Sequence, residues 1–260
     1  MPEPFHPSPF TGFLTLLHKE VLRFWKVGFQ TVAAPVLNAL LFLLIFSRVL
    51  DRHITVYGEV PYTAFLVPGL IMMSLLQNAF ANSSSSLIQS KITGNIIFLL
   101  LPPLSYRAFY AAYILAAVLR GLAVAVGVWL ASAIFIATPL AHPVWALAFA
   151  VLGGALLATF GVIAGIWADK FDQLAAFQNF LVLPLTMLSG VFYSIQSLPP
   201  LWQQISHINP FFFMIDGFRY GFFGQSDASP WLSLAVTSAS LAALAALTLA
   251  MLAKGYKLRG

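Results

Sequence analysis

Few side chains in this 260-residue chain are equipped for chemistry: eight are Asp or Glu, five are His and none is Cys. The lack of cysteine removes disulfides, thiolate metal sites and cysteine nucleophiles. His6, His18, His53, His142 and His207 are scattered, so no metal-ligand spacing is formed. No GxxxxGK[ST] loop occurs, so the chain has no phosphate loop with which to bind ATP itself. The run Ser83, Ser84, Ser85, Ser86 has no base beside it in sequence and reads as a polar helix end at a membrane surface. No carboxylate dyad or nucleophile–base pair is visible, so the chain by itself is not expected to be an enzyme.

Three charged residues could still touch a ligand. Arg120 lies within an apolar run, where a charge costs about 2.5–3.5 kcal/mol on insertion scales. Either it contacts an anionic substrate group or locks two helices, or it snorkels to the nearer surface; both readings are open. Asp216 and Arg219 stand at i, i+3, a spacing that predicts a salt bridge on one helix face. Phe42, Phe65, Phe80, Phe135 and Phe160 fall at or near mid-depth of apolar runs. They either line a substrate route or pack the core.

These residues must be positioned by membrane helices. Only 21 residues are charged (13 basic, 8 acidic), or 8%, against about 25% in soluble domains. Hydrophobic residues make up 60%. That excludes a soluble globule, and it excludes disorder, which needs low hydrophobicity. The fold class is all-α integral membrane. Six spans are predicted at residues 27–46, 62–81, 113–138, 144–167, 175–193 and 231–252. Pro35 and Pro184 fall inside two of them. Residues 1–9 read as a cytoplasmic tail without a signal-peptide core, and 255–260 as a basic tail. Residues 10–26 pattern as an amphipathic interfacial helix ahead of a transmembrane domain over 27–254.

With the N-terminus inside, Lys19, Arg23, Lys26, Lys91, Arg107, Lys170, Lys254, Lys257 and Arg259 are cytoplasmic. Only Arg48, Arg52 and Arg219 are external, so both ends are predicted to be cytoplasmic. This placement accounts for the net charge of +5 without a nucleic-acid partner. Glu3, Glu20, Asp169 and Asp172 fall on the cytoplasmic side, and Asp51, Glu59, Asp216 and Asp227 outside; none is in a span. An ion-coupled carrier usually needs an intramembrane carboxylate, so the energy for transport is expected from elsewhere. The cytoplasmic connection 82–107 carries a helical stretch, 87–101, that Pro102-Pro103 stops. The external connection 194–230 reads as a re-entrant or interfacial helical hairpin.

Several runs carry a family likeness: Val67-Pro-Gly-Leu-Ile-Met-Met-Ser74, Leu101-Pro-Pro103, Leu188-Ser-Gly-Val-Phe-Tyr-Ser194 with Leu198-Pro-Pro200, and Asn209-Pro-Phe-Phe-Phe-Met-Ile-Asp-Gly-Phe-Arg-Tyr-Gly221. The chain resembles the permease subunit of type-2 ABC exporters, in the YadH-like and nodulation-factor-exporter branch. The likeness extends over nearly the whole chain. It implies a homodimer in the bacterial inner membrane and two cytoplasmic ATPase subunits that hold the ATP and Mg. The chain itself would bind no cofactor. It further implies a coupling helix over 89–99, with Gln89, Lys91, Ile92, Gly94 and Asn95 meeting the ATPase, and a second contact at Lys170. Relatives often carry acids just after the Gly94-Asn95 region, where this chain has Ile97 and Phe98. The expected function is export of an amphipathic, lipid-like or glycan substrate by alternating access. The rival is an ATPase-independent channel or ion-driven carrier.

Overall fold

The computed structural model describes residues 9–49, 55–58, 60–101 and 104–257. The tail 1–8, Asp51, Arg52, His53, Glu59, Pro102-Pro103 and Arg259 lie outside the described residues. The helices are α1 (Pro9–Trp25), α2 (Gly28–Val49), α3 (Tyr62–Ile92), α4 (Ile96–Leu100), α5 (Tyr106–Ser132) and α6 (Pro143–Trp167). They continue with α7 (Phe171–Phe177), a π-helical turn (Gln178–Val182), α8 (Leu183–Met187), α9 (Pro200–Ile208), α10 (Pro210–Phe223) and α11 (Pro230–Ala253). A small antiparallel hairpin, β1 (Thr55–Val56) with β2 (Val60–Pro61), precedes α3.

Among the described residues, five helices are long and apolar enough to cross a membrane: α2, α3, α5, α6 and α11. The stretch predicted as a span over 175–193 departs from that prediction. It is helical only from Phe171 to Met187, in three consecutive pieces. At 1.5 Å per residue that is about 25 Å, short of a ~30 Å apolar core. Pro184 falls at the first turn of α8, where its missing N–H is tolerated.

The centre of the bundle is α3, which packs on α5, α6, α10 and α2. In its most apolar window 83% of residues are buried, against 17% for α2 and 11% for α11, so the last two are peripheral. Close contact of α3 with α6 depends on Gly161. A Cβ there would meet the Phe80 carbonyl oxygen at 2.5 Å and collide with the Ser83 hydroxyl. Small residues at helix crossings allow this approach.

Two boundaries shift from the sequence reading. α3 does not end near Ala81 but runs to Ile92, so Ser83–Ser86 lie inside a helix and not at a helix end. Ser83, Ser84 and Ser86 are buried, and Ser83 Oγ donates to the Ala158 carbonyl of α6 at 2.7 Å. α5 begins at Tyr106, where the Ser105 side chain accepts from Ala108 N, and ends by Ser132. The predicted helix 87–101 is split at Gly94, whose φ of 72° is left-handed.

α9 and α10 form a helical hairpin hinged at Asn209. The Asn209 carboxamide oxygen accepts from Phe211 N at 3.0 Å, Pro210 occupies the first helical position, and Gly224 (φ 67°) stops α10.

Candidate functional site

A cleft of about 620 Å³ opens between α2, α3, α5 and the π-helical turn. α2 contributes Gln30, Thr31, Asn38 and Phe42; α3 contributes Ser74, Gln77 and Asn78; α5 contributes Arg120. The far wall is Gln178, Leu183 and Met187. Gln30 and Asn38 are exposed polar residues on a helix otherwise apolar enough to span a membrane. A π turn widens the helix locally and often marks a functional position; here it starts at Gln178.

Arg120 lines this cleft from α5. Its Nε and one terminal nitrogen donate to Asn78 Oδ1 at 3.3 and 3.2 Å, and the other reaches Asn82 Oδ1 at 3.5 Å. Asn82 also receives Arg23 from α1: the Arg23 guanidinium donates to Asn82 O at 2.6 Å and Oδ1 at 2.8 Å. Arg23 in turn pairs with Glu20 at 3.3 Å. Glu20 is fully buried and accepts from Lys19 at 2.8 Å and from Ser86 Oγ at 2.8 Å. A buried carboxylate is tolerable only when paired and hydrogen-bonded in this way. Glu20 and Arg23 thus turn from the polar side of α1 against the serine run of α3, while Thr15, His18, Lys19 and Lys26 stay exposed and Leu16 and Phe24 are buried.

The far end of α3 forms a second surface. Gln89, Ile92, Gly94 and Asn95 are exposed, as are Ile97 and Phe98 on α4. A cavity of about 390 Å³ lies between this end and α1, lined by Lys19, Gln89, Ser90, Thr93 and Asn95 among others. Lys91 is engaged internally. Its Nζ donates to the carbonyls of Ile166 (2.8 Å) and Ala168 (2.6 Å) and meets Asp169 at 3.3 Å. It thus satisfies orphan carbonyls at the C-terminus of α6. Lys257 joins Asp169 at 2.9 Å, so two cations hold this exposed carboxyl below its ordinary pKa, Lys257 first and Lys91 second. Lys170 is exposed at the start of α7.

The chain matches the family of ABC-2 type transporters over residues 11–223, most of its length. The chain belongs to the ABC-2 type transporter family. It is 39% identical to the "Inner membrane transport permease YadH" of Escherichia coli K12 over 209 residues, covering 80% of this chain and 82% of the relative. It is 21% identical to "Nodulation protein J" of Neorhizobium galegae over 238 residues, with 84% of each chain covered. The Nodulation protein J of Rhizobium leguminosarum bv. viciae is 22% identical over 233 residues, 88% of this chain and 89% of the relative. The resemblance carried by the Asn209–Gly221 and Leu188–Ser194 runs is thereby borne out.

In this ABC-2 permease the Asp216–Arg219 pair is not a salt bridge. Asp216 turns its carboxylate to the backbone N–H groups of Asp227 (2.7 Å) and Ala228 (3.0 Å), fastening the loop before α11. Arg219, also buried, donates to the Gly190 carbonyl at 2.8 Å and lies 3.9 Å over the Phe65 ring. Backbone groups freed at the ends of neighbouring elements supply closer partners than the i, i+3 neighbour does. Phe65 and Phe80 are fully buried core residues and line no part of the cleft; Phe80 stacks with Phe177 and meets Phe160. Of the path candidates, Phe42 and Arg120 reach the cleft. Arg120 is half-buried and turned to Asn78 and Asn82 of α3, the interhelical contact that one of its two sequence readings expected.

Sequence reasoning passed over Asn78, Asn82, Gln77, Gln178 and Glu20. A signal was present for the asparagines: Ser74, Asn78 and Asn82 repeat every four residues along one face of α3. No sequence signal marks Gln178, because the π turn that frames it has no composition rule.

Proposed function

We propose that this chain is the membrane-embedded permease subunit of an ATP-driven exporter in the inner membrane. It works as a homodimer with two separate cytoplasmic ATPase subunits, which hold the ATP and Mg. Its termini face the cytoplasm, and the composite helix Phe171–Met187 supplies the sixth crossing together with the non-helical, largely protein-covered segment 188–193 that follows it. The substrate is an amphipath, lipid-like or bearing a glycan, and it is handled in the polar cleft where α2 leaves an incompletely covered face.

The observation that carries this reading is the continuity of α3. One 31-residue helix runs from the cleft, at Ser74, Gln77 and Asn78, to the exposed end at Gln89 and Ile92. A rigid helix transmits a displacement along its axis, so a push at the Gly94 turn reaches the cleft. The apolar surface of Ile92, Ile97 and Phe98 suits burial in a cleft of the ATPase, with Gln89, Gly94, Asn95 and Lys170 around it. Lys91 contributes by holding α3 to α6 and not by touching the partner. ATP-driven closure of the two ATPases then rocks the halves between inward and outward access.

The test is co-purification of the full-length chain with its cognate ATPase and measurement of ATP hydrolysis in lipid nanodiscs. Ile92→Asp and Gly94→Leu should each weaken the complex and uncouple hydrolysis from substrate. Intact docking and stimulation in both variants would refute the coupling assignment. Gradient-driven transport in liposomes without any ATPase would instead favour a channel or ion-driven carrier.

A further inference from the structure

The charge balance around the cleft is uneven. Arg23 is matched by Glu20, and Asp169 is matched by Lys91 and Lys257. Arg120 meets only the neutral oxygens of Asn78 and Asn82, and among the described residues no carboxylate lies within 4.0 Å of it. It is half-buried within the apolar helix α5 and shares the Asn82 oxygen with a second cation, Arg23. A cation in an apolar helix without a carboxylate partner is unfavourable unless a counter-charge comes to it. The surrounding side chains are suited to receive one. Gln30, Asn38, Gln77 and Gln178 can all donate amide hydrogens into the same 620 Å³ space, and none brings a negative charge that would repel an anion. That volume fits a headgroup and not a whole lipid or polymer.

We infer that the cleft binds the anionic group of an amphipath, a phosphate, sulfate or carboxylate, on Arg120, with Gln77 and Gln178 flanking it and the apolar tail lying along α2. Guanidinium forks match these planar or tetrahedral anions, and charge-assisted bonds in a low-dielectric cleft are the strong ones. The inference deepens the proposed permease reading by naming the substrate's charge class.

The test uses the full-length protein in a neutral detergent. Isothermal titration compares dioctanoyl phosphatidic acid, the uncharged dioctanoylglycerol, and inorganic phosphate. Phosphatidic acid should bind at least about tenfold more tightly than either of the others, the size of one charge-assisted contact. Arg120→Gln should lose that preference, and Arg120→Lys should keep most of it. Gln178→Leu, on the cleft wall, should weaken phosphatidic acid several-fold while leaving the fold intact. Equal binding of phosphatidic acid and dioctanoylglycerol, or undiminished binding in Arg120→Gln, overturns the inference. Phosphate binding as tightly as phosphatidic acid overturns the amphipath and leaves a free anion. Pull-down of the cognate ATPase by the same samples is scored separately. Lost docking with intact charge preference refutes the permease reading alone, and the reverse refutes only this one.

Discussion

The guanidinium groups of Arg23 and Arg120, from α1 and α5, converge on a single acceptor, the side-chain oxygen of Asn82, at 2.8 and 3.5 Å. Two cations sharing one neutral oxygen repel each other, and the arrangement persists because Glu20 compensates the first. Asn82→Ala should therefore destabilise the bundle by about 1–3 kcal/mol, leaving both cations short of an acceptor. Asn82→Asp should do the opposite, raising the thermal midpoint in detergent while reducing phosphatidic acid binding, because Arg120 gains an internal counter-charge. Differential scanning fluorimetry and titration of the two variants check both directions.

Gly161 holds α6 against the backbone of α3 at Phe80. Gly161→Leu should force the helices apart and lower stability by about 1–3 kcal/mol, as overpacking does. The readout is the monodisperse yield and thermal midpoint against wild type. Gly28→Ala, with nothing within 4 Å of the added methyl, serves as the silent control.

Arg219 replaces its expected ion pair with the Phe65 face and the Gly190 carbonyl. Lysine lacks the planar group that stacks on the ring, so Arg219→Lys should lose about 1–3 kcal/mol despite keeping the charge. A double-mutant cycle with Phe65→Leu should show a coupling of about 0.5–2 kcal/mol; strict additivity would remove the cation–π contact from the account.

Asp169, held below its ordinary pKa by Lys257 and Lys91, stabilises the far end of the bundle. A depressed acid contributes stability above its unfolded pKa of about 3.9 and loses it as pH falls through the lower folded value. Wild type should lose this contribution below about pH 4, and Asp169→Asn should not show that loss. The carboxyl is exposed, so added salt should shrink the difference between the two proteins. Thermal midpoints from pH 7 to 3 at low and high salt measure it.

The membrane class, the helix-rich fold and the family could be read in advance, because they rest on composition, on apolar run length and on the Asn209–Gly221 run. Five of the six predicted spans coincide with long apolar helices for the same reason. Helix ends were less legible. The run Ser83–Ser86 looks like a stop, yet buried hydroxyls can return their hydrogens to carbonyls of their own helix, as Ser84 does to Phe80 and Ser90 to Ser86. α3 therefore continues to Ile92.

Arg120 marks the division most clearly. The chain alone determines that a cation sits inside an apolar run and must find partners, because hydrocarbon solvates no charge. Which partners it finds depends on residues 38 and 42 positions away in sequence, Asn82 and Asn78, brought opposite it by the packing of α3 on α5. The same packing turns Glu20 inward to neutralise Arg23 and leaves Arg120 without a negative partner among the described residues. Apolar burial is additive along the chain and can be summed from sequence. Electrostatic pairing is directional and falls off over a few ångströms, so it was decided only when the helices met.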